Sequence, residues 1–242
     1  MARNHITWLI FSIILGDNHL VSMIEQYRCK NEDRSRAFAG ICNRIDRPVS
    51  GLVCFGKTPS MAAGICDQFK NRNVGKRYLA VIHGRLEDGG ELRQQVEHRN
   101  NKTVIIDAPD SSDSLIALLT WRAICSIDHP KAGPETLISI SLSTGRRHQI
   151  RGQFAHIGFP IVGDVLYGSK SRFAERCIAL HAFSLDMTHP NDNSNIYARC
   201  PPPLWWQEKF PLELYEAAIE TAKKRSTQSR HNSSKSDSEV II

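Results

Sequence analysis

Between residues 76 and 143 the chain offers extended runs and no helical spacing, and this limits the fold more than any other feature. Residues 76–83 alternate as a strand with Tyr78 near its start, and residues 103–108, 115–127 and 136–143 read as three more. In the last of these, Leu137, Ile138, Ile140 and Leu142 stand against Ser139, Ser141 and Ser143. Residues 84–101 are polar and glycine-bearing, a loop or a hairpin insertion. Successive strands without helical crossovers lead to an α+β fold, a mixed, largely antiparallel sheet with flanking helices. The helices fall outside this block. Thr58 caps one that begins with Pro59 and runs to about residue 73, with Met61, Ala62, Ile65, Cys66 and Phe69 as its apolar face. A second is expected over residues 147–157, with Ile150, Phe154 and Ile157 inward and Gly158 just past its end, and a third over residues 212–224. Residues 178–187 read as a last core strand.

Upstream of the strand block, Cys42-Asn43-Arg44-Ile45-Asp46-Arg47-Pro48-Val49-Ser50-Gly51 places one carboxylate between two guanidiniums in a segment of turn formers. Pro48 fixes its own φ and biases Arg47 toward extended backbone, while Ser50-Gly51 supplies a second bend. Asp46 is therefore presented by a rigid loop just ahead of an apolar strand, residues 51–57. Loops held by a rigid scaffold are where catalytic groups concentrate, although a surface turn in which Asp46 pairs with Arg44 or Arg47 fits the same residues.

Charge narrows the partners. Lys and Arg total 31 against 25 acidic residues in 242, a formal charge of +6, which favours a polyanion. Half of the excess lies in the last twenty residues, and two acid-free blocks remain in the core: Lys70, Arg72, Lys76, Arg77 and Arg85 between Asp67 and Glu87, and Arg146, Arg147 and Arg151 between Glu135 and Asp164. The seven cysteines form no Cys-x-x-Cys pair and have no histidines at zinc-ligand spacing, so neither a metal site nor a disulfide framework is expected. Scattered thiols in apolar runs fit buried hydrophobes in a reducing compartment. The N-terminal apolar run, Ile6 to Leu15, is shorter than the roughly 20 residues a membrane span needs.

Three ordered stretches resemble the motifs of the RluA-type pseudouridine synthases. Asn43 to Leu52 resembles that family's first loop, with Asn43 where the family carries histidine. Lys76-Arg77-Tyr78-Leu79-Ala80-Val81-Ile82-His83-Gly84 is similar to its second motif, and Thr144-Gly145-Arg146-Arg147-His148-Gln149-Ile150-Arg151, continuing through Gly163-Asp164 to Tyr167-Gly168, to its third. The resemblance implies isomerisation of uridine to pseudouridine within ribosomal or transfer RNA, with no cofactor and no metal. It implies Asp46, Tyr78 and Arg151 as catalytic residues: the carboxylate at the ribose–base junction, a ring to stack on uracil, and a guanidinium paired with Asp46 through a bidentate contact. Arg44 matches the residue that fills the space left by an extruded base, and Arg44, Arg47, Lys76, Arg77, Arg146 and Arg147 are expected to hold RNA. His148 and Gln149 lie in matched motifs, with helix capping or core packing as their expected work. A same-fold RNA-binding protein without activity is the alternative.

The expected organisation is a divergent or truncated N-terminal edge over residues 1–37, where residues 22–37 show no core periodicity and the family's first strand would end in a Lys-Pro pair that is missing. A catalytic domain follows over residues 38–225, then a disordered basic tail over residues 226–242. The protein is expected to act as a monomer, with RNA as partner and no membrane, in the cytoplasm or in an organelle.

Overall fold

The structure is a computed structural model that describes residues 9–10, 19–32, 35–106, 115–129, 133–174, 176–207 and 238–241. In chain order these form β1 (Leu9–Ile10), α1 (His19–Asn31), β2 (Gly40–Ile41), β3 (Ser50–Val53), β4 (Phe55–Gly56), α2 (Pro59–Lys70), β5 (Gly75–His83), β6 (Gly89–Arg99), β7 (Lys102–Ile106), β8 (Leu115–His129) and β9 (Gly133–Leu142). Then come α3 (Gln149–His156), a 3-10 turn (Val165–Tyr167), β10 (Leu180–Thr188), β11 (Asn195–Arg199), α4 (Leu204–Gln207) and β12 (Ser238–Ile241). The main sheet runs β1-β3-β10-β5-β9-β8-β6-β7, with β11 on β10 and β12 on β11. The β3–β10 and β11–β12 pairs are parallel and the others antiparallel, so the mixed, largely antiparallel α+β class holds.

The parallel pair that carries the Asp46 loop depends on Gly51. Its φ is 118°, and a Cβ there would stand 2.3 Å from the Ala182 carbonyl oxygen, so only glycine lets β3 lie against β10. Beside it the Ser50 hydroxyl meets His181 Nδ1 at 2.8 Å, and His181 Nε2 meets the Cys200 carbonyl at 2.9 Å. Since a carbonyl only accepts, Nε2 carries the proton and Nδ1 accepts from Ser50. Complete burial pushes the His181 pKa down to about 4.

Leu79, Val81, Leu119, Leu137 and Phe154 share a core with Ile150 and Trp206; in a second cluster, Ile65 of α2 packs with Leu52, Leu185 and Ile196. The α2 expectation holds to the cap: Thr58 Oγ1 accepts from the Met61 N–H and Pro59 starts the helix.

Several elements differ from the sequence reading. The N-terminal edge contains α1, hidden from a hydropathy pattern because its buried face includes Arg28, 5% exposed, which donates to Glu32 and to the Phe38 and Lys57 carbonyls. Ile24 beside it packs with Ala39, Val53 and Phe55. The polar stretch 84–101 is the hairpin of its two readings, β6 turning into β7 through Asn100 and Asn101, both at positive φ as a type I′ turn requires. In the tail expected to be disordered, Ser238–Ile241 pairs in parallel with β11. The helix expected over residues 212–224 and most of that tail lie outside the described residues.

Candidate active site

The Asp46 loop is pinned at both ends. A turn is closed by the Val49 N–H donating to the Asp46 carbonyl at 2.9 Å, and Ile178 N–H donates to the Pro48 carbonyl at 3.0 Å. Asn43 ties the loop to the sheet, its Oδ1 accepting from the Cys54 N–H at 2.6 Å. Opposite, the segment 144–148 is organised by buried Gln149, whose Oε1 accepts from Thr144 Oγ1 at 2.8 Å and from the Arg146 N–H at 3.0 Å while its Nε2 donates to the Leu118 carbonyl. Gln149 thus shapes the loop into α3, a role closer to capping than to core packing. The helix itself seats on β7 because Gly152 lets its backbone approach Thr103: a Cβ there would meet the Thr103 carbonyl at 2.9 Å.

Between the two loops and the start of β5 lies a cleft of about 710 Å³, the size of a site that takes a nucleoside-sized ligand. Among the described residues its lining contains Arg44, Lys70, Arg72, Lys76, Arg146, Arg147 and Arg151, and one acid, Asp46. Tyr78 also lines it. Burial, helped by the Asp46 carboxylate, pushes the Tyr78 hydroxyl well above the ordinary phenol value, so it is a neutral phenol at physiological pH. Burial and the Arg72 charge lower the Lys76 ammonium.

The structure brings Asp46, Tyr78 and Arg151 together, with Arg151 Nη1 3.4 Å from Asp46 Oδ2. The bidentate contact, however, goes elsewhere. Arg151 Nε and Nη2 donate to the two oxygens of Asp164 at 2.6 and 2.9 Å, and only the remaining nitrogen faces Asp46. Both partners are buried, Arg151 at 4% and Asp164 at 1% exposure. Burial opposes the Arg151 charge, but the Asp164 bonds and both carboxylates outweigh it and raise its pKa. The Tyr167 ring covers the guanidinium at 5.0 Å.

Of the six residues expected to hold RNA, Arg44, Lys76, Arg146 and Arg147 line the cleft, and Arg47 and Arg77 do not. Arg77 separates Lys76 from Tyr78 on β5, so it points through the opposite face, where it lies near Asp186. Three contributors lie outside the residues expected at the site: Lys70 and Arg72, whose position at the end of α2 faces the cleft, and His148, whose Nε2 stands 3.8 Å from Asp46 Oδ2. For Lys70 and Arg72 the acid-free block was the available signal; for His148 it was the matched third motif. Cys42, also in the lining, has its pKa lowered to about 7 by a hydrogen bond from the Cys54 thiol, with Cys66 adding a second. Among the described residues no group of histidine, cysteine and carboxylate side chains could hold a metal ion, and no helix is long and apolar enough to cross a membrane.

A carboxylate braced by a buried arginine in a cationic cleft on a mixed, largely antiparallel sheet describes an enzyme that acts on a polyanion. The family model described as RNA pseudouridylate synthase matches residues 22–156, more than half of the chain, and the chain belongs to that family, of the RluA type its three motifs resemble. It is an isomerase acting on RNA. The tRNA pseudouridine synthase C of Vibrio vulnificus (strain CMCP6) is 26% identical over 193 residues, covering 74% of this chain and 79% of that one. The ribosomal large subunit pseudouridine synthase D of Nitrosomonas europaea is 30% identical over 177 residues, covering 68% of this chain and 48% of that one. The fold is that of human RNA pseudouridylate synthase domain containing 1, with a TM-score of 0.65 at 21% identity, covering 84% of this chain and 82% of that one.

Proposed function

We propose that the chain converts uridine to pseudouridine at a site in folded ribosomal or transfer RNA, with Asp46, Tyr78 and Arg151 at the reacting nucleotide. The observation that carries this is the placement of Asp46 as, among the described residues, the one acid in a cleft lined by seven Lys and Arg side chains. Phosphate contacts to such a lining position a strand without reading its sequence, and the carboxylate marks where the ribose–base junction comes to rest. The bond from C1′ to N1 breaks, the uracil turns, C1′ joins C5, and the proton lost from C5 is balanced by one gained at N1. The Tyr78 ring gives the detached uracil a surface to stack on, and Arg151 holds one Asp46 oxygen in place. A uridine inside a duplex has to leave its stack at a cost of a few kcal/mol; in this reading Arg44, exposed at the cleft, takes the vacated position. Relatives whose names specify transfer RNA and ribosomal RNA support both substrate classes. The reading carries with it a monomer that works in the cytoplasm, or in an organelle that holds its own RNA.

The test is to incubate the purified protein, in chelator, with total transfer RNA and with ribosomal RNA and to map pseudouridine at single-nucleotide resolution. New modification at one or a few uridines is the expected result. RNA binding with no new pseudouridine in either pool would favour the inactive RNA-binding alternative.

A further inference from the structure

His148 stands at the N-cap of α3, but its side chain makes no capping hydrogen bond, and its backbone is left-handed, φ 50° and ψ 24°, a conformation that costs a non-glycine residue about 1–2 kcal/mol. What that backbone achieves is to aim the imidazole between two groups. Nδ1 lies 3.2 Å from the Tyr167 hydroxyl, and Nε2 lies 3.8 Å from Asp46 Oδ2. Tyr167 is itself fixed, its oxygen accepting the Thr103 N–H at 2.7 Å and its ring lying across the Arg151 guanidinium.

These contacts choose a tautomer. With its oxygen engaged by Thr103, the Tyr167 hydroxyl has one proton to give, and the acceptor in reach is His148 Nδ1. A neutral imidazole that accepts at Nδ1 must carry its proton at Nε2, the nitrogen that faces Asp46. The surrounding charges are Asp46 from the loop, Arg147 and Arg151 from the start of α3, and Asp164 ahead of the 3-10 turn; the ring edge also meets His98 of β6 at 6.2 Å. Burial and the two arginines favour the uncharged ring, against the two carboxylates.

Resting on the reaction proposed above, we infer that His148 is a positioning residue held by Tyr167 as the neutral Nε2–H tautomer, so that it and Arg151 both face Asp46 Oδ2 and leave Oδ1 open to the nucleotide. At 3.8 Å the His148–Asp46 contact is not yet a hydrogen bond. Catalytic contacts that are long in the free enzyme tighten when substrate fills the site. The β6–β7 hairpin thereby becomes part of the active site: Thr103 at the start of β7 orients Tyr167, Tyr167 orients His148, and His148 orients Asp46.

Two measurements test this. Nitrogen-15 NMR of the imidazoles at pH 7.5, with His148 assigned by its loss in His148→Gln, reads the tautomer without any need for activity. A protonated Nε2 and a bare Nδ1 are expected, becoming a mixture in Tyr167→Phe; a protonated Nδ1 in the wild type, or no change in Tyr167→Phe, overturns the proposal. Single-turnover rates then separate positioning from folding. His148→Ala should lose about tenfold or more in rate, the range of one hydrogen bond to a charged group, with RNA affinity unchanged, and His148→Gln, which keeps a donor at similar reach, should recover most of it. Equal losses in the two variants overturn the role. If the wild type modifies no RNA, the reaction fails while the NMR result still decides the tautomer.

Discussion

At the scale of single residues, the site turns on which carboxylate holds which guanidinium. The Asp46 loop was legible because turn formers act locally, and the Arg151 helix was legible by spacing. The Asp164 contact was not, since nothing in the residues before Val165 separates a structural carboxylate from a surface one until the fold buries it. The difference changes an expectation. A guanidinium shared only with a cleft-facing Asp46 would be dispensable for folding, whereas Arg151→Met strands Asp164 in the interior and should cost about 3–5 kcal/mol of stability, read as a lower urea midpoint. Arg151→Lys keeps the charge and loses the fork, so it should fold better than the methionine variant and retain part of the activity. Equal stability of Arg151→Met and wild type would show that Asp164 is not held as described. Tyr78→Phe keeps the stacking ring and removes only the neutral hydroxyl. The glycosidic step should survive better than the proton transfer from C5, and full turnover in this variant would rule out a role for the hydroxyl.

At the scale of elements, alternation was the signal that should have excluded Arg77: adjacent residues on β5 cannot both face the cleft. β6 was ambiguous in the sequence because its packed face offers little beyond Leu92 and Val96 to a hydropathy pattern while the other face is wet. α1 was hidden for a different reason, a buried arginine satisfied by carbonyls. The β3–β10 pair that carries the Asp46 loop has its own titration. His181 has a folded pKa depressed from 6.5 to about 4, so its contribution to stability is fully present above pH 6.5 and is lost as pH falls toward 4. Over that window the loss should reach about 3 kcal/mol. Urea midpoints measured from pH 7.5 to 4.5 in wild type and His181→Gln should converge as pH falls; parallel curves would mean that the ring is not buried in its neutral form.

At the scale of the whole molecule, the sequence reading of a basic α+β protein was legible because acid-free blocks and motif order survive without coordinates, while the convergence of α2, β5 and the loop ahead of α3 on one cleft is a property of topology alone. That convergence predicts strong salt dependence. Between 50 and 200 mM salt, RNA affinity should fall steeply, and Arg72→Ala and Arg147→Ala should each reduce the slope by about one counterion; an unchanged slope would place the RNA elsewhere on the surface. Function rests on a division of labour between this cationic lining and the Asp46 carboxylate. Asp46→Asn, assayed side by side with the wild type on the RNA that the wild type modifies, tests that division most directly. Pseudouridine formation should vanish while RNA affinity stays within about tenfold, and a variant that still makes pseudouridine, or that loses RNA binding together with turnover while remaining folded, would contradict it.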